Sequence, residues 1–366
     1  MTLYVSQTTP SCLKFITNNY RSSKISTVLK MSGQTPPPSK CTIDPYKFLQ
    51  ITVNRDGTIT RDPNRYPNSL PSADLKSPNV VLSQDIPINQ QKNTWVRLFL
   101  PRLATPPSPD SSTYGYKLPL IVYFHGGGFI NCSAGSTVFH DFCSKMALEV
   151  SAVVVSVDYR LSPEHRLPAA YDDAVEVIHW IRNTQIDWLR THADYDRFFI
   201  MGSSAGANIA YQAGLRVSEE IDHNLDGLKI RGLILHHPFI GGVQRKQSEV
   251  RLVNDSHLPQ SVSDLMWEFA LPIGVDRDHE YCNPTVDDGS ILWENIERLG
   301  WEVLVTGCDG DPMIDRQMEV VEMLKVKNVK VESHFREGGY HVVELKEAPK
   351  AQVLFALMNH FIGSST

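Results

Sequence analysis

The sequence predicts an α/β protein built on a mostly parallel central sheet with helices on both faces. Three observations carry that prediction. From Leu118 onward, apolar runs of strand length alternate with segments of helical period. Those runs are continuously apolar, as strands buried on both faces must be. Across 366 residues, 42% are hydrophobic and 21% charged, which is enough apolar material for one large core.

Taken in order, residues 1–40 stand apart. The first thirty are rich in Ser and Thr and carry Lys14, Arg21, Lys24 and Lys30, and no acidic residue precedes Asp44. That bias resembles an organelle transit segment, which would direct the chain to a plastid. The plainer reading is a disordered extension ahead of a second possible start at Met31 and the Pro36-Pro37-Pro38 linker. The folded domain is assigned to residues 41–366. It opens with Asp56-Gly57 between Leu49–Val53 and Thr58–Arg61, the spacing of a hairpin turn. Val80–Ile86 and Trp95–Leu100 read as further strands, and Pro106–Ser112 as a Pro-rich surface loop. The alternating part follows: Leu118–Phe124 then a helix Thr137–Val150, Ala152–Asp158 then Ala169–Ile181, Arg197–Gly202 then Ala205–Arg216. Strands Ile230–His236, Val303–Thr306 and Val329–Phe335 and helices Arg316–Lys327 and Ala348–Ile362 complete it. Between His237 and Pro284 the sheet needs no strand, yet Leu265, Trp267 and Phe269 fall on a predicted helix, so this insert is a candidate lid.

The formal net charge of -6 offers no broad basic field, which excludes nucleic acid as an expected partner. No apolar run approaches the roughly eighteen residues of a membrane span. Cys12, Cys41, Cys132, Cys143, Cys282 and Cys308 show no CxxC spacing, so reduced thiols in a cytoplasmic compartment are expected. A small-molecule partner is therefore expected, with a monomer preferred.

The chemistry concentrates at the ends of strands. Gly202-Ser203-Ser204-Ala205-Gly206 follows Phe198-Phe199-Ile200-Met201 and opens an Ala-rich helix. A strand-to-helix turn of this kind lifts a hydroxyl away from the backbone and places it at a helix N-terminus, which suits Ser204 as a nucleophile. The plainer reading is a Gly-rich turn with a Ser helix cap. His125-Gly126-Gly127-Gly128-Phe129 follows another central strand, and its glycines let backbone N–H groups approach a ligand oxygen. An acid and a base are expected further on, in the order Asp then His. The loop after Val303–Thr306 offers Asp309, Asp311 and Asp315, with Asp311 preferred because it precedes Pro312 at a strand end. Gly338-Gly339-Tyr340-His341 supplies the base on a glycine-loosened loop, and His334 inside the strand is the lesser candidate.

Five separated segments then carry a resemblance: His125–Phe129, the run Val155–Asp173, Gly202–Gly206, Gly310–Arg316 and Gly339–His341. On these the chain resembles the plant class I carboxylesterases, in the hormone-sensitive-lipase branch of the α/β-hydrolase fold. The resemblance implies a triad of Ser204, Asp311 and His341, and an oxyanion hole from the N–H groups of Gly127, Gly128 and Ala205. It also implies a cap from residues near 41–75 and 238–284, with Asp158, Arg160 and Glu164 bracing the oxyanion loop. One departure is Ser203, where the family usually has Asp or Glu.

The activity implied is hydrolysis of small carboxylic esters, short acyl groups such as acetate preferred, with no metal or cofactor required. Two alternatives share the fold. The gibberellin receptors resemble it as hormone-binding proteins but lack the triad histidine, which His341 supplies here. Other relatives run acyl transfer or eliminations on specialised metabolites; the dehydratases among them carry Thr at the nucleophile position, where this chain has Ser204.

Overall fold

The computed structural model describes residues 40–74, 79–102, 117–220 and 227–365. The N-terminal extension and the loop predicted at Pro106–Ser112 lie outside them. The described chain opens with a short helix, α1 (Pro45–Leu49), and a hairpin of β1 (Ile51–Val53) and β2 (Ile59–Arg61). Leu49, expected to begin a strand, instead ends this helix. Asp44 accepts from the N–H groups of Tyr46 and Lys47, Pro45 is preset for a first turn, and Gln50 stops the helix at φ 54°. The hairpin turn forms as expected, with Gly57 at φ 85° and Asp56 accepting from the Thr58 N–H at 3.1 Å.

The main sheet has eight strands. They are β3 (Val81–Asn89), β4 (Thr94–Pro101), β5 (Leu118–Phe124), β6 (Val153–Asp158), β7 (Ala193–Ser203), β8 (Ile230–His236), β9 (Glu302–Cys308) and β10 (Lys330–Arg336). Their order is β10-β9-β8-β7-β5-β6-β4-β3; β3 and β4 run antiparallel at one edge, and all pairs from β6 to β10 are parallel. The chain passes from β5 to β6 on one side and then to β7 on the other. That reversal opens a crevice at the carboxyl ends of β5 and β7, where both glycine motifs emerge.

Two apolar layers close the sheet. On one face α2 (Thr137–Glu149) and the last helix pack Phe139, Phe142, Met146, Leu354, Phe355 and Phe361 over Ile121, Tyr123, Val154 and Met201. On the other, α3 (Ala169–Asn183) and α5 (Ala205–Ser218) bury Tyr171, Val177, Ile178 and Ile209 against Leu120, Val122, Val155 and Ile200. Alternation along each strand thus sends side chains to two fully buried layers, which explains the continuous apolar runs. A short helix α4 (Asp187–His192) leads into β7.

The insert after β8 carries α6 (Gln247–Arg251) and α7 (Gln260–Ala270), followed by α8 (Trp293–Arg298). Helix α7 is buried through Trp267, whose ring stacks on Phe239 at 4.8 Å and meets Phe129 at 5.3 Å. The N-terminal segment lies on the same helix, since Ser261 donates to the Ile43 carbonyl and Asn254 accepts from the Thr42 N–H. Helices α9 (Ile314–Val326) and α10 (Ala348–Ser364) flank β10. Among the described residues no helix is long and apolar enough to cross a membrane.

Glycine at 202 and 206 is dictated by closeness. A Cβ on Gly206 would run into the Phe124 carbonyl and lie 2.6 Å from that of His125; one on Gly202 would run into the Gly206 carbonyl. Both obstacles are backbone, so nothing flexible can yield. Gly206→Ala is expected to cost about 1–3 kcal/mol through overpacking, read as a lower denaturation midpoint. Gly363→Ala is the control, because its Cβ would meet nothing within 4 Å on a helix. Equal midpoints for the two variants would refute the packing argument.

Candidate active site

Strand β7 ends at Ser203 and α5 begins at Ala205, which leaves Ser204 alone in the turn at φ 57°, ψ −121°. Few non-glycine residues adopt that conformation, and here the surroundings over-determine it. The Ser204 N–H donates to the His236 carbonyl at 3.0 Å, and its carbonyl accepts from the N–H groups of Phe239, Ala207 and Asn208 at 3.0, 2.9 and 3.2 Å. Ser204 holds the helix-cap position, yet its hydroxyl makes no capping bond. The plain reading as a helix cap therefore fails, because Oγ lies 2.8 Å from His341 Nε2 instead.

His341 stands in the loop between β10 and the 3-10 turn Val343–Leu345, 7% exposed. Its Nδ1 lies 2.8 Å from Asp311 Oδ2. Asp311 is fully buried and receives three further donors: His237 Nδ1 at 2.8 Å, Gln317 Nε2 at 3.0 Å and the Met313 N–H at 2.8 Å. Burial pushes a carboxyl upward, but the two imidazoles outweigh it and hold Asp311 well below the ordinary carboxylate range. Of the three aspartates the sequence offered, Asp311 is the one within hydrogen-bond reach of His341. Asp309 accepts from the Gly338 N–H at 2.7 Å, and Asp315 caps α6 by accepting from the Ser248 N–H at 2.8 Å. His334 pairs with Glu332 on β10, away from Ser204.

The glycine loop after β5 approaches the same point. Gly127 and Gly128 have φ of 118° and 62°, and neither N–H donates to a backbone carbonyl. Ala205, as the first residue of α5, has an N–H without an intrahelical partner. A Cβ on Gly126 would lie 3.1 Å from Ser204 Cβ, which measures how closely this loop and the elbow meet. His125 is buried and stacked on Tyr159 at 4.3 Å, and burial lowers its pKa to about 4, so it is neutral.

The run Asp158–Glu164 sits behind the loop. Asp158 accepts from the Ala134 N–H at 2.8 Å; burial raises its pKa to about 6. Arg160 forks onto Asp173, and Glu164 clasps Arg61 of the N-terminal hairpin at 2.7 Å, while Arg61 donates to the Ile130 and Ser162 carbonyls.

Four residues of the cluster escaped the sequence reading: His236, His237, Gln317 and Glu344. Glu344 is buried, with Oε2 3.1 Å from His236 Nε2 and 3.3 Å from His237 Nε2. Ser203 Oγ lies 2.8 Å from His236 Nδ1 and accepts from the Tyr123 hydroxyl at 2.9 Å. A visible signal existed in the His236-His237 pair that ends an otherwise apolar strand. His236, His237 and Glu344, and His237, Asp311 and His341, are tight enough to grip a cation. In each, however, the groups already engage one another, by hydrogen bonds except at His237 Nε2, which meets Glu344 as an ion-pair contact, so both are read as polar relays rather than ligand sets.

Residues 121–345 match the family model described as alpha/beta hydrolase fold. Carboxylesterase 20 of Arabidopsis thaliana is 50% identical over 321 residues, 88% of this chain and 97% of that protein. A 3-O-acetylpapaveroxine carboxylesterase of Papaver somniferum is 43% identical over 327 residues, 87% of this chain and 97% of that one. In fold, a hyperthermophilic esterase from the archaeon Pyrobaculum calidifontis superposes with a TM-score of 0.62 at 23% identity, covering 77% of this chain and 83% of its own. Since the likeness to the plant enzymes extends over nearly their whole length, the chain belongs to the plant carboxylesterases of the α/β-hydrolase family.

Proposed function

We propose that the chain hydrolyses small carboxylic esters by two-step acyl transfer, with Ser204 as nucleophile, His341 as general base and Asp311 orienting that base. Membership in the family makes it a carboxylic-ester hydrolase. The observation that carries the mechanism is the unbroken Ser204–His341–Asp311 relay at 2.8 Å per step, built on a strained elbow. His341 Nε2 takes the hydroxyl proton as Ser204 Oγ attacks the ester carbonyl, and the imidazolium then returns that proton to the departing alkoxide. Water, deprotonated by the same nitrogen, releases the acid. Asp311 keeps the Nδ1 proton in place, so that Nε2 is the free acceptor. The N–H groups of Gly127, Gly128 and Ala205 serve as the oxyanion hole, each worth roughly 3 kcal/mol at the transition state.

The N-terminal segment and the insert, joined at Ser261 and clasped to the loop by Arg61 and Glu164, serve as a cap over the site. Short acyl groups are the preferred substrates. The name of the Papaver relative, which specifies an acetyl ester, supports that choice. A hormone-binding role without turnover is disfavoured, since the imidazole that such a role dispenses with lies 2.8 Å from the Ser204 hydroxyl.

Ser204→Ala is expected to lower kcat/KM on p-nitrophenyl acetate by at least about 10⁴-fold with the melting temperature preserved. Intact mass after fluorophosphonate treatment should show one adduct on the wild type and none on the variant; turnover retained without the hydroxyl would refute the nucleophile. Asp311→Asn should reduce kcat about 10⁴-fold and also lower stability, since two imidazoles lose a shared counter-charge. A variant with full activity would remove Asp311 from the mechanism.

A further inference from the structure

Behind the Ser204 relay lies a second one that the hydrolytic mechanism does not use. Tyr123 donates to Ser203 Oγ at 2.9 Å, Ser203 lies 2.8 Å from His236 Nδ1, and His236 Nε2 lies 3.1 Å from Glu344. Every member is at most 5% exposed, so substrate cannot reach it. The two relays run back to back, from Ser204 to Asp311 and from Ser203 to Glu344. Among the described residues His237 alone touches both carboxylates, hydrogen-bonded through Nδ1 to Asp311 at 2.8 Å and in ion-pair contact through Nε2 with Glu344 at 3.3 Å.

We infer that His237 is a positioning residue for ester hydrolysis, bridging the buried carboxylates of Asp311 and Glu344 so that Asp311 is held on His341. The inference rests on the reading of Ser204, His341 and Asp311 as the reacting relay. It goes further by assigning a role to the second relay, with Glu344 as the counter-charge that keeps the bridge in place.

The donor pattern is self-consistent. Burial raises the Tyr123 hydroxyl well above its ordinary range, so it stays a donor, and burial lowers His236, which is therefore neutral. With its proton on Nε2, His236 gives to Glu344 and receives from Ser203. Burial opposes charge on His237 too, but the hydrogen bond to Asp311 and the contact with Glu344 outweigh it and raise its pKa to about 9. Burial works upward on Glu344, yet the two histidines hold it far below the ordinary range. The groups facing His237 are Asp311 from the loop after β9, Glu344 and His341 from the segment after β10, and its neighbour His236 on β8. Arg336 of β10 lies 4.0 Å from Glu344, and Cys308 of β9, its thiol raised to about 12 chiefly by burial, stays neutral.

Apart from Arg336, which stays the same in every variant, the charges behind His341 are −1 on Asp311, +1 on His237 and −1 on Glu344, a net −1. Removing the cation leaves −2, which favours imidazolium at His341 and withholds the base until higher pH. Removing the distal anion leaves 0 and works the opposite way, and removing both restores −1.

The test is the pH profile of kcat/KM on p-nitrophenyl acetate. His237→Gln should move the acid limb up by about half a pH unit or more and lower kcat about tenfold at unchanged KM. Glu344→Gln should move the limb down, and the double variant should return it to the wild-type position. A limb unmoved in a folded His237→Gln protein, or a double variant displaced as far as His237→Gln alone, overturns the proposal. Fluorophosphonate labelling of the wild type is read first: no adduct at Ser204 overturns the reacting relay and this inference with it, whereas an adduct with an unmoved limb overturns this inference alone. If His237→Gln does not fold, nitrogen-15 NMR of histidine-labelled wild-type protein decides. At pH 8 it should show one imidazole protonated on both nitrogens, and finding none overturns the bridge.

Discussion

A carboxylate removed from water is costly unless its lone pairs are taken, and Asp311 is fully buried. Four donors from four separate places satisfy it: the Met313 N–H in its own loop, Gln317 on α9, His237 at the end of β8, and His341 in the loop after β10. Three of these donors fix loop segments, and Gln317 ties them to the helix that follows. Withdrawing the carboxylate would leave the turn after β9, the His341 loop and the beginning of the insert without a common anchor. The site and the local fold therefore share one interaction, and strength in one is strength in the other.

That anchor works because the strands deliver their ends to a common edge. Parallel pairing from β5 through β9 places Phe124 opposite Gly202, Gly202 opposite Leu235 and His236 opposite Thr306, so the loops that follow all emerge on one side. The strained Ser204 conformation is then sustained by backbone bonds to His236 at the end of β8 and Phe239 just beyond it, together with those from Ala207 and Asn208 of α5. A short register slip in β8 would release the elbow and the second relay together.

The parallel part of the sheet was legible because burial on both faces leaves strands with no polar alternation to confuse. Ser204 and His341 were legible because a Gly-flanked turn after an apolar strand, and a Gly-loosened loop after the last strand, have few other uses. Asp311 was only preferred among three neighbours; what separates it from Asp309 and Asp315 is where each backbone turns, which sequence does not display. Helix α1 was missed because five residues held by one aspartate cap are too short for periodicity to register. His236, His237 and Glu344 were missed because their meaning lies in convergence over 108 residues of separation: the adjacent histidines were visible as a pair, but sequence does not name their carboxylate partners. The packing of the N-terminal hairpin against the loop depends on Arg61 and Glu164, 103 residues apart, and is equally silent in sequence.

At Ser203 the resemblance led to the expectation of an acidic residue, and the surroundings explain what the hydroxyl does there instead. Its hydroxyl is wedged between a phenol that gives a hydrogen bond and an imidazole nitrogen that takes one. A carboxylate in the same spot could accept from the phenol but would confront the lone pair of His236, whose only proton already belongs to Glu344. An acid at position 203 would require His236 to take up a second proton or turn away, so the neutral hydroxyl at 203 and the accepting imidazole at 236 are matched to one another.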